Sequence, residues 1–397
     1  MFASIRQIVA VTAMGLRAIP DRLGASLVIV IGMALVVAVM VSILSMSAGF
    51  MRTVDNTGRS DRAIVLSHGS QYEFASAISR DNVIAIADAP GLRIADDGKP
   101  IASAEYLASV LVTKKSDGLD AYITLRGVGP EAFALRPEIK LVSGRMFRAA
   151  RHELIIGKAA ISQFEGLEVG SQVPLPEGDW TITGSFESDG NEHESELLAD
   201  SETVLSAMRA NTFHSVNVML QRPESLEQFR AALAANPALT VDVTRETDFL
   251  AAQSKYLNTF LTMIAYVVGG IMGLGATFGA LNTMYSAVSA RAIEIATLRA
   301  IGYGALGVVA SVIIEALVLS VLGALVGAAL AWAVFNGNTV STISGGGGLA
   351  QVVFHLRIGG GLVALGIIWA CVVGLIGGLL PAIRAARIPV AVALRAI

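Results

Sequence analysis

Two long apolar runs on either side of a short charged segment dominate the second half of the chain. Residues 256–290 contain no Asp, Glu, Lys or Arg, and after the segment 291–302 a second apolar run extends to Phe335. A bilayer core of about 30 Å is crossed by about 20 apolar helical residues, so each run is long enough to span a membrane. The sequence therefore predicts a membrane hairpin whose short loop has room for one small helix at the membrane surface.

The positions of the charged residues extend this prediction to the whole chain. Almost all acidic residues lie between 52 and 255, although 54% of the 397 residues are hydrophobic. The charge-free runs are 23–51, 256–290, 316–356 and 358–383. This segregation excludes one large soluble domain and predicts four spans with a large hydrophilic domain after the first.

The hydrophilic region mixes short β-like runs with helical patches. The β-like runs are 63–66, 107–113, 121–126, 153–156, 172–175, 180–185 and 215–220, and the helical patches lie near 158–166, 200–210 and 224–235. The predicted fold class is therefore an integral membrane protein with four transmembrane α-helices and an α+β extracytoplasmic domain inserted between helices 1 and 2.

The predicted domain boundaries follow the changes in composition along the chain. They are 1–22, a cytoplasmic amphipathic helix; 23–50, transmembrane helix 1; 51–247, the extracytoplasmic α+β domain; 248–290, a stalk and transmembrane helix 2; 291–302, a cytoplasmic helix; 303–335, transmembrane helix 3; 336–356, an outer loop; 357–382, transmembrane helix 4; and 383–397, a cytoplasmic tail. A continuous helix over 248–290 would be about 60 Å long, which exceeds the bilayer.

Lys and Arg near the span ends determine the predicted orientation, because positively charged loops stay in the cytoplasm. With both termini and the 291–302 loop inside, the inner side carries two acidic residues, Asp21 and Glu294. Its basic residues are Arg6, Arg17, Arg22, Arg291, Arg299, Arg384, Arg387 and Arg395. The outer side then holds more acidic than basic residues, so the near-neutral net charge of −3 conceals a strong asymmetry.

The N-terminus and the one cysteine each allow two interpretations. Residues 1–22 suit a short amphipathic helix on the inner membrane surface, broken near Pro20. A cleaved signal peptide is the alternative, but the apolar run 23–51 exceeds the usual h-region of about 7–15 residues and favours an uncleaved anchor. Cys371 lies inside the last apolar run and is interpreted as an apolar filler rather than a reactive thiol.

The sequence contains no recognisable catalytic or metal-binding motif. It has no G-x-x-x-x-G-K-[ST], H-E-x-x-H or G-x-S-x-G pattern. The histidines, which are scattered without metal-like spacing, are His68, His152, His193, His214 and His355. Glu192, Glu194 and Glu196 flank His193, and this acidic loop is predicted to be solvated. We expect no catalytic residues, no metal and no cofactor bound by this chain.

Pairs of glycines four residues apart recur in the predicted spans. They are Gly269 with Gly273, Gly275 with Gly279, Gly323 with Gly327, and Gly374 with Gly378. Small residues at this spacing allow two membrane helices to approach closely, so these glycines are predicted packing positions. Residues Gly345–Gly348 are instead predicted to be a flexible outer loop.

Glu315 is an ionisable residue within the third predicted span. Such residues are costly in a membrane and by default suggest a function. One interpretation is a carboxyl group satisfied by a neighbouring helix, and the other is a proton relay. The other spans offer no His, Asp or Lys to continue a proton path, which favours the first interpretation.

Several segments resemble the membrane subunits of ABC transporters of the MacB, LolC/LolE and FtsX type. In and near the membrane they are Arg291-Ala-Ile-Glu-Ile-Ala-Thr-Leu-Arg-Ala-Ile-Gly302, Ile314-Glu315-Ala-Leu, and Pro381-Ala-Ile-Arg-Ala-Ala-Arg-Ile-Pro389 followed by Ala393-Leu-Arg395. Outside it, Leu141-Val-Ser-Gly144-Arg-Met-Phe147, Leu154-Ile-Ile-Gly157, Val169-Gly170 and Trp180-Thr-Ile-Thr-Gly184 resemble the family's periplasmic core domain. The similarity extends over essentially the whole chain.

The resemblance implies a permease in the bacterial inner membrane with its large domain in the periplasm. It implies a dimer of two permease copies, identical or related, bound to cytoplasmic ABC ATPase subunits that use ATP and Mg. Because this sequence carries no ATPase domain, the ATPase is expected to be a separate polypeptide. A periplasmic adaptor is left open, membrane lipids are expected contacts, and no nucleic acid is expected.

The resemblance also implies that residues 291–302 form the coupling helix. The residues expected to couple to the ATPase are Arg291, Ile293, Glu294, Leu298, Arg299 and Gly302. An apolar stripe suitable for a groove is predicted from Ile293, Ala296, Ala300 and Ile301, which follow helical spacing.

Four functions were weighed from the sequence. The first is ATP-driven export or extraction of a hydrophobic or amphipathic substrate, and its closest alternative is FtsX-like mechanotransmission that regulates a periplasmic partner without transport. A secondary transporter would need several polar groups at mid-membrane, and Glu315 alone falls short. A non-transporting receptor or scaffold would lack an ATPase partner.

Overall fold

The structure, a computed structural model, describes residues 2–175, 177–343 and 350–387. It divides into two compact units. The membrane unit comprises Met1–Ser47, Phe260–Asn338 and Leu356–Ile397, and the outer unit comprises Ala48–Thr259 and Thr339–His355.

The helices in chain order are α1 Phe2–Arg17, α2 Leu23–Thr57, α3 Arg80–Ala87, α4 Ala132–Leu135, α5 Lys158–Gln163, α6 Ser201–Ala207, α7 Leu226–Ala234, α8 Glu246–Ala290, α9 Ala292–Ala300, α10 Ala305–Phe335 and α11 Gly360–Ala386. Short 3-10 turns cover Pro20–Arg22, Glu73–Ala75, Glu192–Ser195 and Pro223–Ser225. The strands are β1 Arg62–Ser67, β2 Ala102–Thr113, β3 Asp120–Val128, β4 Lys140–Gly144, β5 Glu153–Gly157, β6 Gln172–Leu175, β7 Gly178–Glu187, β8 Leu197–Asp200, β9 Ser215–Met219, β10 Val241–Arg245, β11 Thr339–Ile343 and β12 Gln351–His355.

Among the described residues, α2, α8, α10 and α11 are long and apolar enough to cross a membrane, with 35, 45, 31 and 27 residues. Even α11 extends about 40 Å at 1.5 Å per residue, more than the hydrocarbon core requires. The α/β domain follows the first of these helices. The predicted fold class is confirmed.

Small residues let the spanning helices approach one another closely. Gly323 and Gly327 of α10 lie against the backbone of Val30 and Ala34 in α2, where a Cβ atom on either glycine would overlap it. In the same way Gly374 and Gly378 of α11 lie against Ser320 and Ala316 of α10. The interior of the membrane unit is thus packed at the backbone level, and Ala324, Ala328 and Ala370 are almost completely buried there.

The two predicted glycine pairs of α8 differ in whether another helix packs against them. Gly269 lies against Met40 of α2, and Gly273 lies against Trp369 of α11. In the part of the chain that the structure describes, no atom lies within 4 Å of the position that a Cβ would take at Gly275 or Gly279. These two glycines occupy a face of α8 that points away from the other described helices, so they do not perform the predicted packing within this chain.

The outer unit is built on a ten-stranded mixed sheet in the order β10-β1-β9-β2-β3-β8-β5-β7-β4, with β6 also pairing with β7. The β3/β8 and β5/β7 pairs are parallel and the other pairs are antiparallel. One apolar cluster joins β1 and β9 to α3 and α7, with Phe229 completely buried. A second joins β3, β5, β7 and β8 to α5 and α6 around Trp180 and Phe164.

Strands β11 and β12 pair antiparallel within the segment 336–356, which the sequence suggested only as an outer loop. They belong to the outer unit, and Val353 of β12 joins the second apolar cluster. Gln163 at the end of α5 donates a hydrogen bond to Thr339 Oγ1 at 2.5 Å. The predicted flexible residues Gly345–Gly348 lie outside the described residues. The segment between α10 and α11 thus supplies part of the fold of the outer unit.

Candidate functional site

Helix α9 lies in the short connection between α8 and α10. Helix α8 ends at Ala290, and the N–H of Arg291 still donates to the carbonyl of Val288 at 3.2 Å. Gly302 ends the connection with a φ of +103°, a left-handed conformation that residues with a Cβ rarely adopt. The charged hinge of the sequence is therefore a separate nine-residue helix with a glycine stop.

The exposed face of α9 differs from the apolar stripe predicted from the sequence. Ile293 and Ile301 are 45% and 69% exposed, and the Glu294 side chain is 68% exposed. Leu298 is half-buried, and Ala300 is exposed. Ala296 is completely buried among the helices of the membrane unit. The stripe prediction was wrong at Ala296, because the side of α9 that carries Ala296 packs inward. Ile293, Ala300 and Ile301 are the stripe positions that remain exposed.

An open cavity of about 630 Å³ lies beside α9. Its walls come from α1, from α9 with Arg291, and from the first two turns of α10. The lining residues are Val11, Met14, Arg17, Ala18, Arg291, Ile293, Glu294, Ile295, Thr297, Leu298, Val308, Ser311 and Val312. Most are apolar, with two basic groups and one acidic group among them. This combination suits an apolar side chain of a partner, held by charge pairs around it.

Two of the predicted coupling residues, Arg291 and Arg299, make contacts inside the membrane unit. Arg291 is 18% exposed at its side chain, and it lies 3.4 Å from Glu315 and 3.1 Å from Glu294. Arg299 donates a hydrogen bond from Nη1 to the carbonyl of Ala386, at the end of α11, at 2.8 Å. A cation at a helix C-terminus is favourable for the helix dipole. Arg291 and Arg299 therefore link α9 to α10 and α11, whereas Ile293 and Glu294 are exposed and Leu298 lines the cavity.

The sequence did not show that α1 forms a wall of this cavity. Residues Met14 and Arg17 line the cavity, and Arg22 lies 3.9 Å from Glu315. The contact between Arg22 and Glu315 could have been expected from the sequence, because an isolated carboxylate in the membrane needs a cation near it. Arg22 lies at the start of the first span, on the same side of the membrane as the 291–302 loop.

A second concentration of charge lies inside the outer unit. Arg126 of β3 is 5% exposed and contacts Glu73, Glu105 and Glu196, each at 2.9 Å. Arg136 pairs with the other oxygen of Glu105 at 2.5 Å. Arginine provides several donors in a fixed plane, so one side chain can satisfy several buried carboxylates.

His193 belongs to this network, and the prediction that its acidic loop is solvated was wrong. His193 is 3% exposed, and its Nδ1 lies 2.8 Å from Glu196. Glu194 is also buried, and it accepts hydrogen bonds from the backbone N–H groups of Ser188 and Gly190. Glu196 is stable in the interior because Arg126, 70 positions earlier in the sequence, compensates its charge.

The network shifts the pKa values of its carboxyl groups in opposite directions. Burial alone would raise the pKa of Glu196, but the charge of Arg126 and the contact with His193 hold it well below its usual range. Burial also favours the neutral form of Glu105, but the charges of Arg136 and Arg126 outweigh burial and lower the pKa of Glu105. Burial raises the pKa of Glu192 to about 7, with a smaller contribution from the charge of Glu196. The outer unit therefore contains one carboxyl group that titrates near neutrality.

Among the described residues, no group of three or more His, Cys, Asp or Glu side chains is arranged to hold a metal ion. The two charged clusters consist of arginine–carboxylate pairs in which the ligand atoms already serve as ion-pair partners.

Comparison with known proteins gives two family matches that divide the chain between them. The model of the MacB-like periplasmic core domain matches residues 26–236, and the model of the FtsX-like permease C-terminal domain matches residues 266–390. No curated protein matches the sequence.

Two solved structures are similar to parts of the chain. The extracellular domain of the noncanonic ABC-type transporter YknZ from Gram-positive bacteria shares 14% identity, covering 46% of this chain and 99% of that chain, with a TM-score of 0.35. The periplasmic region of MacB from Actinobacillus actinomycetemcomitans shares 10% identity, covering 51% of this chain and 96% of that chain, with a TM-score of 0.38.

The family matches agree with four spans and an α/β domain that follows the first of them. They also agree with a multi-pass protein of the inner membrane whose large domain is periplasmic. The chain belongs to the family of FtsX/MacB-type ABC transporter permeases.

Proposed function

We propose that this chain is the permease subunit of an ATP-driven transporter in which a cytoplasmic ABC ATPase, a separate subunit, docks on α9. In this proposal the ATPase uses ATP and Mg, and its movement passes through the spanning helices to the periplasmic domain. The chain functions with a second permease copy, and the cargo is a hydrophobic or amphipathic substrate that is exported or extracted. This chain supplies the docking surface and no catalytic group.

The observation that carries the proposal is the exposed face of α9 beside its cavity. Ile293 and Glu294 are exposed on α9, the helix that the structure describes in the connection between α8 and α10. Leu298 lines the 630 Å³ cavity between them and α1. A cavity with apolar walls and an exposed charge at its edge has the composition of the centre and rim of an interface.

The nature of the cargo is inferred from the spans. Residues 24–51, 256–290 and 316–335 contain no charged residue, so these parts of the spans offer apolar surfaces to a cargo. Lipid-like or amphipathic molecules can contact such surfaces without losing hydration. This supports extraction or export of an apolar cargo.

The test is a double variant, Glu294→Lys with Leu298→Asp, in the full chain in nanodiscs. It places a charge in the cavity and reverses the charge at its edge, and an unpaired charge at an interface centre is strongly unfavourable. We expect the ATPase to bind at least about 30-fold more weakly, corresponding to 2 kcal/mol or more for a central residue. Binding is measured by copurification and by titration of the purified ATPase.

A matched control makes the same chemical changes on the other side of the membrane. Glu165 and Leu119 are exposed in the outer unit, so Glu165→Lys with Leu119→Asp changes charge and polarity equally without touching α9. This control should bind the ATPase as the wild type does. Unchanged ATPase affinity in the α9 variant would contradict the proposal.

A second candidate function, mechanotransmission without transport, is favoured by the close packing of the membrane unit. Gly323 and Gly327 bring the backbone of α10 against α2, and Gly378 brings α11 against α10. These contacts leave no space for cargo between those helices. Under this alternative the periplasmic domain regulates a partner protein, and reconstituted complexes would hydrolyse ATP without moving any lipid-like cargo.

A further inference from the structure

Glu315 lies inside the membrane unit, ten residues after α10 begins at Ala305. Its side chain is 7% exposed, and two arginines from other parts of the chain approach its two oxygens. Arg22 Nη2 lies 3.9 Å from Oε1, and Arg291 Nη1 lies 3.4 Å from Oε2. A buried carboxylate is tolerable only with such partners, because the cost of removing it from water is several kcal/mol.

Each arginine also contacts a second element. Arg22 Nη1 donates to the carbonyl of Ala287, in the last turn of α8, at 3.4 Å. Arg291 Nε donates to Glu294 Oε2, on the exposed face of α9, at 3.1 Å. Through these two side chains, Glu315 links α10 to the turn after α1, to the end of α8 and to α9.

Helix α1 lies directly on this cluster at Gly15. A Cβ atom at Gly15 would lie 3.3 Å from Glu315 Oε2 and from Ser311 Oγ, and 3.5 Å from Arg291 Nη1. The glycine allows α1 to pack on the charged groups without displacing them. Because α1 and α9 are both walls of the cavity, the cluster contacts both of these walls.

We propose that Glu315 is a positioning residue that fixes α9 to α1 and α10, so that the three helices move together when the docking surface is displaced. The inference rests on the proposed docking of an ATPase at α9 and adds how its motion would enter the spans. Arg291 is central, because it contacts Glu294 on the exposed side and Glu315 on the inner side. Motion of the exposed face of α9 would therefore reach α10 through one side chain.

The experiment measures the distance between α1 and α9 by electron paramagnetic resonance in nanodiscs. Spin labels replace Val9 in α1 and Ile301, the residue that follows α9, which are 63% and 69% exposed, in a Cys371→Ser background. The labelled protein is first shown to bind the ATPase as the unlabelled protein does. With Glu315 in place, we expect one narrow distance that is the same with and without ATP in the ATPase-bound complex. Glu315→Gln keeps the shape and removes the charge, and it should broaden the distance and make it change with ATP.

Two further variants separate positioning from a general loss of structure. Arg291→Gln, alone and combined with Glu315→Gln, should give the same broadening as Glu315→Gln alone, because a pair that acts as a unit is non-additive. Ser320→Ala changes another buried polar residue of α10 that lies beside Gly374, away from the arginines, and should leave the narrow distance unchanged.

The outcomes distinguish this inference from the proposed function. If the ATPase does not bind the wild-type chain, the proposed function fails, and the label distance without ATPase still tests the role of Glu315. If the ATPase binds and Glu315→Gln keeps one narrow, ATP-independent distance, the positioning role is overturned. A wild-type distance that already changes with ATP would overturn it as well.

Discussion

The Oγ atom of Ser195 accepts a hydrogen bond from the backbone N–H of Val353 at 2.8 Å, although 158 positions separate the two residues. Ser195 is 1% exposed and Val353 is 2% exposed. The bond joins the 3-10 turn of the buried charge network to a strand that the chain forms only after its third span. The periplasmic domain is therefore assembled from two distant parts of the sequence.

The first prediction concerns this composite core. Residues 52–245 alone are expected to unfold cooperatively and without sensitivity to reductant, because the domain contains no cysteine. Joining residues 48–259 to 339–355 through a flexible linker should raise the midpoint of thermal unfolding, since Val353 then completes its apolar cluster. We refer to this joined protein as the composite domain.

The control for that prediction lies in the same hairpin. Val353→Ala in the composite domain should cost about 1–3 kcal/mol of unfolding free energy, as for other buried aliphatic truncations. Ile343 is 52% exposed, and Ile343→Ala should change it by less than about 0.5 kcal/mol. Equal effects of the two substitutions in urea unfolding would show that the hairpin does not pack in the core.

The second prediction concerns Arg126. Arg126→Met leaves the completely buried carboxylate of Glu105 and its neighbour Glu196 without their shared cation, which should cost about 3–5 kcal/mol. Arg209 also pairs with a glutamate, but its side chain is 83% exposed, and Arg209→Met should cost about 0–1 kcal/mol. Chemical denaturation of the composite domain at pH 7 compares them, and a loss below 1 kcal/mol for Arg126→Met would be incompatible with this account.

The third prediction is a pH dependence that originates at Glu192. Its pKa is about 7 in the folded domain and 4.5 as an ordinary glutamate, so the folded state binds the proton more tightly. Its contribution to stability is full below pH 4.5 and is lost as the pH rises through 7. At about 1.36 kcal/mol per pKa unit, the loss between pH 5 and pH 8 is at most about 3 kcal/mol.

Other charged and titratable groups lie near Glu192, and some of them also affect how stability depends on pH. Thr57, Arg126, His193 and Glu246 line the small cavity beside it, and burial raises the pKa of Glu246 as well. Carboxyl groups with lowered pKa, such as Glu196, lose their contribution only in more acidic solution. Burial lowers the pKa of His214, so this residue makes stability rise with pH in the same range and partly offsets the decline caused by Glu192.

Glu192→Gln should therefore reduce the decline in stability between pH 5 and pH 8, leaving the contribution of Glu246. The exposed control Glu165→Gln should retain the wild-type decline. Thermal unfolding of the composite domain across this range is the measurement. A wild-type slope in Glu192→Gln would exclude Glu192 as the group responsible.

The fourth prediction compares two glycines of the spanning helices. Gly327→Ala places a Cβ atom against the backbone of Ala34 and should lower the thermal stability of the protein in detergent, because backbone cannot move aside cheaply. At Gly275 the described residues leave the space open, and Gly275→Ala should be neutral or stabilise α8 by up to about 1 kcal/mol. Fluorescence-detected thermal unfolding tests the pair, and the reverse order of stabilities would contradict the helix packing.

The distribution of charges along the chain made the architecture predictable. The pairing of charges inside the outer unit could not be predicted in this way. Charge-free runs indicate spans because an unpaired charge is costly in lipid. Glu196 and His193 looked like a solvated loop because nothing local shows that Arg126 will come within 3 Å. Compensation between distant residues is a property of the folded chain, and local composition does not reveal it.

The candidate site was partly predictable for the same reason. The position of α9 and its glycine stop followed from the sequence, and so did the isolated carboxylate of Glu315. The contact of Arg22 with Glu315 and the cavity wall formed by α1 could not be predicted from the sequence, because both depend on how helices from different ends of the chain pack. The inward face of Ala296 was missed because helical spacing alone does not state which side of a short helix is covered.

The place of β12 in the chain also sets an order of events during biosynthesis. The ribosome reaches Gln351 roughly 100 residues after it completes β10, a delay on the order of 5–20 s at typical rates of translation. Throughout that delay the periplasmic domain lacks a strand of its core, and its apolar cluster remains open to chaperones and proteases. The strand can arrive only after α10 has crossed the bilayer, so closure of the domain follows correct insertion of the third span.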